Sequence, residues 1–192
     1  MSIRCLLLVP LLGCQAKADP PPPAPTLIEV REGTTVVASL RPGKPCRATI
    51  GPTEMIVGGP PLISQLGSTR WAGSDGANGT VIERDGLRVA RLFPSSDPTS
   101  GAVFDMVGAA MIRVKAEADH ATVSDTASRL IRTLARSGDT ITVEPAAGQP
   151  KLVVTGTRDL VLASMLSAPE LQPELRMLVA CERVLVTEKK EL

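Results

Sequence analysis

The chain has 192 residues, a formal net charge of +1, one Trp, two Phe and no Tyr. A nearly neutral chain without a long basic cluster has no electrostatic reason to bind nucleic acid, so we expect no nucleic-acid partner. Proteins that bind single strands usually stack their ligands on aromatic rings, and the shortage of such rings disfavours this class as well as carbohydrate binders. The length left after the N-terminal segment is that of one domain.

The N-terminus has the layout of an export signal. One positive charge, Arg4, precedes the apolar run from Leu6 to Leu12, which is much shorter than the about 20 residues that a membrane-spanning helix needs. A charged start, a short apolar core and a small residue at the end are typical of a secretory signal. We therefore predict that residues 1–13 are a signal peptide.

The end of this segment, Leu11-Leu12-Gly13-Cys14, resembles the lipobox of bacterial lipoproteins. The resemblance implies cleavage between Gly13 and Cys14, and acylation of the Cys14 sulfur by a chain such as palmitate. By the same resemblance, Gln15 rather than aspartate after the cysteine implies the outer membrane of the cell envelope. The alternative is an ordinary signal peptide in which Cys14 is incidental.

A proline-rich segment follows over residues 14–26. It has no apolar periodicity, and the prolines from Pro20 to Pro23 favour an extended polyproline conformation. This composition predicts a tether that holds a folded domain away from a membrane surface. The rest of the chain then divides into a single β-rich domain over residues 27–187 and a charged tail over residues 188–192.

One strand–turn–strand pattern recurs along the domain. The segments IEVREGTTVVASLRP (28–42) and VIERDGLRVARLFP (81–94) each place an acidic residue and a glycine between two runs rich in β-branched residues. Weaker copies begin at Thr122 and Thr142. The first of these two copies also has a helical interpretation over 124–137, although its register with the second copy favours a hairpin.

Shorter apolar runs predict further strands between these units, at 46–51, 53–58, 61–67 and 109–117. The segment SDGANG (74–79) is typical of an exposed loop. Turn signals that recur about every 8–12 residues indicate an antiparallel sandwich or barrel.

The apolar period changes near the C-terminus. Asp159 is a suitable N-cap for LVLASML, which is apolar all round and therefore predicts a buried helix. Pro169 or Pro173 begins a second helix, PELRMLVACERVLV. We therefore predict a mainly β fold of antiparallel strand–turn–strand repeats, a sandwich or a barrel, that ends in an apolar C-terminal helix or helix pair.

Over about residues 100–185, this order of hairpins and helix resembles the architecture of tubby-like and LURP-one-like barrels. In those barrels, hairpins surround a C-terminal hydrophobic helix. The resemblance implies the architecture alone and implies no functional residue.

Two cysteines remain in the domain, Cys46 and Cys181. An exported protein meets an oxidising compartment, which makes a disulfide between them reasonable. The alternative is a reduced core thiol, because Met177, Leu178 and Val184 share a helical face with Cys181.

Catalytic and metal-binding patterns are weak. His120 is the only histidine and has Asp119 and Asp125 nearby, but no Gly-x-Ser-x-Gly motif accompanies it. One histidine and two separated cysteines do not make a zinc site. A calcium site is disfavoured because the candidate ligands do not match EF-hand spacing; they are Asp75, Asn78, Glu83 and Asp85.

Most other charged residues have structural explanations. Acidic residues stand where turns or helix caps favour them, at Glu32, Asp85, Asp125, Asp139 and Asp159. Arg70 and Trp71 are a possible cation–π pair, although a single Trp is more often a core residue. Three arginines flank one predicted hairpin and are candidates for contact with an acidic partner: Arg84, Arg88 and Arg91.

Three functions are compatible with these patterns. The first is a lipid-anchored, exported, non-catalytic binding or scaffolding module of the cell envelope, which needs no cofactor and contacts an envelope protein or ligand. The second is a carrier of an apolar or acyl ligand inside a barrel. The third is a carboxylate-dependent hydrolase that uses Asp105, Asp119 and Asp125.

Overall fold

The computed structural model of the chain describes residues 26–59, 61–76, 79–93, 97–145 and 148–188. The predicted signal peptide, the Cys14 lipidation site and nearly all of the tether lie outside these ranges, as does Asn78.

Fourteen strands and two helices follow one another in the described ranges. The strands are β1 (Ile28–Glu32), β2 (Thr35–Arg41), β3 (Cys46–Ile50), β4 (Thr53–Gly58), β5 (Ile63–Leu66), β6 (Thr69–Gly76), β7 (Gly79–Arg84), β8 (Leu87–Phe93), β9 (Ser100–Phe104), β10 (Ala110–Glu117), β11 (His120–Ser124), β12 (Leu130–Ser137), β13 (Thr140–Pro145) and β14 (Leu152–Thr155). The helices are α1 (Leu160–Leu166) and α2 (Pro173–Glu188).

The strands form one closed antiparallel barrel. Each strand pairs with the next in the chain, and β14 pairs with β1, with Val30 opposite Val154, so that no sheet edge is left open. The mainly β prediction is confirmed, and the barrel rather than the sandwich is the architecture.

Strict alternation of direction gives the barrel two distinct ends. We call the end at which β1 begins with Ile28 the near end, and the opposite end the far end. The turns that follow β1, β9 and β11 therefore lie at the far end. Because β14 finishes at the near end, α1 runs from the near end to the far end, and α2 returns.

The two helices fill the interior of the barrel. All seven residues of α1 are buried, and α1 packs against β10 to β13 while α2 packs against β2 to β4. On β9, Gly101 lets α1 approach, since a Cβ there would lie 2.7 Å from Met165 Cε. Helix side chains thus meet the inward residues of the strands, which are predominantly aliphatic.

Several local predictions can be compared directly with these elements. The hairpin at 124–137 is confirmed and the helix alternative is wrong, because β11 pairs with β12 and places Thr122 opposite Thr133. The predicted cap is confirmed, since Asp159 Oδ1 accepts hydrogen bonds from the N–H groups of Val161 and Leu162. The second helix begins at Pro173.

The predicted loop at 74–79 is wrong for residues 74–76 and 79, which belong to strands, while residues 77 and 78 lie outside the described ranges. Strand β6 continues to Gly76, β7 begins at Gly79, and these two glycines are paired residues. A polar sequence does not exclude a barrel strand, because a strand that covers a barrel needs apolar side chains on its inner face alone.

Candidate functional site

Strands β8 and β9 bring both phenylalanines of the chain to the outer wall of the barrel. On β8, Ala90 and Leu92 point inward and are fully buried, so alternation turns Arg91 and Phe93 outward. Phe104, the last residue of β9, is opposite Arg91 in the pairing. Large aromatic side chains usually contribute to the core, whereas here the two rings lie on the same outer surface.

The turn between β9 and β10 adds two more apolar side chains. Asp105 Oδ1 accepts hydrogen bonds from the N–H groups of Val107 at 3.0 Å and Ala109 at 2.9 Å, an arrangement that stabilises a tight turn. The turn leaves Met106 42% exposed and Val107 90% exposed. The carboxylate of Asp105 is therefore a structural acceptor that keeps these two side chains at the surface.

Together these residues enclose a groove of about 430 Å³, which we call the phenylalanine groove. It is lined by Arg91, Phe93, Phe104, Asp105, Met106, Val107 and Gly108. Its floor is apolar, and the guanidinium of Arg91 makes no ion pair with any described residue. Such a surface can bury an apolar side chain and pair with an adjacent carboxylate.

The sequence did not predict this groove, because the number of phenylalanines does not indicate where they lie in the fold. The alternation in LRVARLF was sufficient to put Phe93 on the same outer face as Arg91. No local pattern could place Phe104 beside them, because that contact depends on the register between β8 and β9.

The two domain cysteines are brought together. The Sγ atoms of Cys46 on β3 and Cys181 on α2 lie at disulfide distance, 2.06 Å apart, and both residues are fully buried. The bond joins the barrel wall to the interior helix across 135 residues of sequence.

The acidic residues proposed for catalysis are not brought together. Asp119 and Asp125 lie at opposite ends of β11, so they cannot both serve the exposed His120. Asp119 pairs with Arg136, Oδ1 to Nη2 at 2.6 Å. Asp125 Oδ1 accepts hydrogen bonds from two backbone N–H groups of its own turn, and the bond that its carboxylate accepts from Arg129 holds its pKa below the usual value.

Two of the candidate calcium ligands, Glu83 and Asp85, have other partners, whereas Asn78 and the side chain of Asp75 lie outside what the structure describes. Asp85 Oδ1 accepts a hydrogen bond from the N–H of Arg70 at 2.7 Å. Glu83 is 3.8 Å from Arg88. Within the described ranges, no group of three or more His, Cys, Asp or Glu side chains could hold a metal ion.

The aromatic and basic residues singled out in the sequence take separate positions. Trp71 is a core residue, and its cation–π partner is Arg84, whose guanidinium lies 5.9 Å from the ring centroid, rather than Arg70. Arg88 contacts Glu83. Of the three arginines proposed to meet an acidic partner, Arg91 alone lines the phenylalanine groove.

A network of charges closes the near end. Arg183 of α2 donates from Nε to Asp159 Oδ2 at 2.6 Å and from Nη1 to the carbonyl oxygen of Asp97 at 2.8 Å. Asp97 in turn accepts hydrogen bonds from Ser100 and Thr99. These bonds lower the pKa of Asp97 to about 2.

No protein-family model, curated protein or solved structure matches the chain. Neither helix in the described part of the chain combines the length and apolar character that crossing a membrane requires.

Proposed function

We propose that the chain is a lipid-anchored, exported, non-catalytic binding module of the cell envelope, and that the phenylalanine groove is its binding surface. The observation that carries the proposal is the outward placement of Phe93 and Phe104 beside Met106 and Val107. Contiguous exposed apolar side chains rimmed by polar residues are typical of interaction sites.

The occupant that fits this groove is an apolar segment of an envelope protein with an acidic residue next to its apolar side chain. The apolar floor favours burial of one such side chain, worth about 1.5–3 kcal/mol when it is complete. Arg91 at the edge of the floor supplies a charge that a neighbouring carboxylate would complement.

The position of the turn that lines one side of the groove is compatible with anchoring through Cys14. The described chain begins at the near end, while Met106 and Val107 belong to a turn at the far end. A tether attached at the near end would direct this turn away from the membrane, toward other envelope proteins.

The carrier alternative has less support. An acyl chain inside the barrel would need the space that α1 occupies, and every residue of α1 is already buried. The hydrolase alternative would need the carboxylates of Asp105, Asp119 and Asp125 to converge, whereas Asp119 lies at the end opposite to the other two.

The lipid anchor is tested by intact-mass measurement of the full chain expressed in a bacterial host, with Cys14→Ala as the matched variant. We expect the wild type to begin at Cys14 and to carry acyl chains in the membrane fraction. The variant should lack both the cleavage and the acyl mass. A wild-type chain that is uncut and free of lipid would contradict the anchor without affecting the groove.

The binding role is tested by comparing Phe93→Ser with Ile56→Ser after crosslinking in intact envelopes. Both side chains are 42% exposed on the barrel surface, but Ile56 lies on β4, outside the groove. We expect one envelope protein to be recovered with wild type and with Ile56→Ser, and to be reduced at least 10-fold with Phe93→Ser. Equal recovery with both variants would contradict the proposed binding surface.

A further inference from the structure

A second cavity, of about 290 Å³, lies at the far end between the helix pair and the strands that close the barrel. Its apolar walls include Val37 of β2, Val143 of β13 and Leu152 of β14. Two guanidinium groups also line it, those of Arg132 on β12 and Arg176 on α2. We call this cavity the arginine pocket.

Arg132 has a structural role in the fold. It is 3% exposed and points inward. Its Nη1 donates to the carbonyl oxygen of Ser167 at 2.7 Å, and its Nη2 pairs with the carboxylate of Glu170. Since Ser167 is the C-cap of α1, Arg132 satisfies a carbonyl group at the end of that helix.

Arg176 has no comparable acceptor. Its Nε is buried, and no acceptor for its side chain exists among the described residues. Burial lowers the pKa of Arg176, and burial together with the charge of Arg176 lowers the pKa of Arg132 to about 10. A half-buried cation without a partner is unfavourable, so an anion that pairs with it would be stabilised.

The other charged groups at the cavity restrict the charge of that anion. Glu170 already balances Arg132, and Glu32 contributes a carboxylate to the lining. The two guanidinium groups and these two carboxylates balance in charge, so the pocket favours a ligand with no more than one negative charge. A single carboxylate matches a guanidinium in two parallel hydrogen bonds, whereas a doubly charged phosphate would meet repulsion from Glu32.

We propose that the arginine pocket binds a small carboxylate with an apolar body. The carboxylate pairs with Arg176, and the apolar part contacts Val37, Val143 and Leu152. A volume of about 290 Å³ suits a molecule the size of an N-acylated amino acid. A peptide C-terminus and a free organic acid both have this chemistry. The site is separate from the phenylalanine groove and does not depend on its function.

Calorimetric titration of the full chain tests this site with four probes. The first two are N-acetyl-leucine, which carries both the carboxylate and an apolar body, and octanoate. The others are N-acetyl-leucinamide, which lacks the charge, and inorganic phosphate, which lacks the apolar body. The variants are Arg176→Gln and, as a matched control, Arg41→Gln, because Arg41 is exposed at the near-end terminus of β2. Circular dichroism establishes that both variants are folded.

We expect N-acetyl-leucine or octanoate to bind, and Arg176→Gln to weaken that binding at least 10-fold while Arg41→Gln leaves it unchanged. Preference between these two acids distinguishes a peptide terminus from a free acid. Binding of the amide or of phosphate as tightly as either acid would overturn the proposed ligand class. No binding by either acid, or equal binding to wild type and Arg176→Gln, would overturn the site. Phe93→Ser should leave binding of the acids to the arginine pocket unchanged. A negative result for the arginine pocket is therefore distinguishable from a negative result for the phenylalanine groove.

Discussion

The two ends of the barrel differ in how fully their polar groups are hydrogen-bonded and their apolar side chains are buried. At the near end, the Asp159 carboxylate caps α1 and pairs with Arg183, which also reaches the loop at Asp97. At the far end, Val107 is almost fully exposed and Arg176 lacks an acceptor among the described residues. Both ends are built from the same hairpins, so the difference comes from particular side chains rather than from the architecture.

Within this one domain, some residues stabilise the fold and others are available for binding. The near end holds the described start of the chain, the last turns of α2 and the pair Cys46–Cys181, which together fix the helices inside the barrel. The far end also contains groups that support the fold, such as Arg132 at the end of α1. The exposed side chain of Val107 and the Arg176 Nε, which has no acceptor among the described residues, contribute little to stability. We therefore expect substitutions in the Asp159–Arg183 network to reduce stability, and substitution of the exposed groove residue Val107 to reduce binding without reducing stability.

The largest loss of stability should follow removal of the Cys46–Cys181 disulfide by the double variant Cys46→Ala/Cys181→Ala. The link spans 135 residues, and on the chain-entropy account a loop of this size stabilises the folded state by about 4–5 kcal/mol. Urea unfolding of the double variant and of the oxidised wild type measures the difference. A loss below about 1 kcal/mol would show that the link does not hold the near end together.

The next largest effect should come from Asp159→Ala, which removes the cap of α1 and the carboxylate partner of a buried arginine. We expect a loss of about 3 kcal/mol in the free energy of unfolding. Asp139→Ala is the control, because the Asp139–Arg158 pair is exposed and such pairs contribute at most about 1 kcal/mol. Equal losses in the two variants would contradict a special role for the Asp159 network.

A smaller effect on the free energy of unfolding should appear at acidic pH. Because the folded-state pKa of Asp97 is depressed to about 2 from an ordinary value of 3.8, its contribution to stability is present above pH 3.8. That contribution is lost as the pH falls toward 2. Asp97→Asn should therefore lose less stability than wild type between pH 4 and pH 2, measured by unfolding at each pH. Parallel curves for the two proteins would contradict this assignment.

The smallest effect on stability should come from Val107→Ser at the far end. Its side chain is 90% exposed, and we expect the free energy of unfolding to change by less than about 0.5 kcal/mol. The same variant should lose the envelope partner proposed for the groove. A loss of stability of more than about 1 kcal/mol would mean that Val107 belongs to the fold rather than to a binding surface.

Local chemistry made some elements predictable. Asp159 predicted the start of α1, because its short carboxylate can accept hydrogen bonds from backbone N–H groups. Proline fits the first turn of a helix, so the sequence allowed α2 to begin at Pro169 or at Pro173, and the helix begins at Pro173. The apolar run at 109–117 predicted β10, whose inward residues Ile112, Val114 and Ala116 are buried.

Long-range pairing made the rest unpredictable. Closure of the barrel depends on contact between β1 and β14, and the periodicity of either strand contains no information about its partner. Likewise, Arg132 and Arg176 meet only because α2 lies inside the closed barrel. Both candidate sites involve residues from different strands or helices, so neither could be read from a local motif.

The most direct test of the division between the two ends is site-specific photocrosslinking in intact envelopes. A photoreactive amino acid replaces Val107 at the far end in one strain, and in another it replaces Leu27, which is exposed at the near end. We predict a crosslink from position 107 to one envelope protein and none to that protein from position 27. A crosslink to the same protein from both positions, or from position 27 alone, would contradict the conclusion that the turn at Val107 contacts the partner.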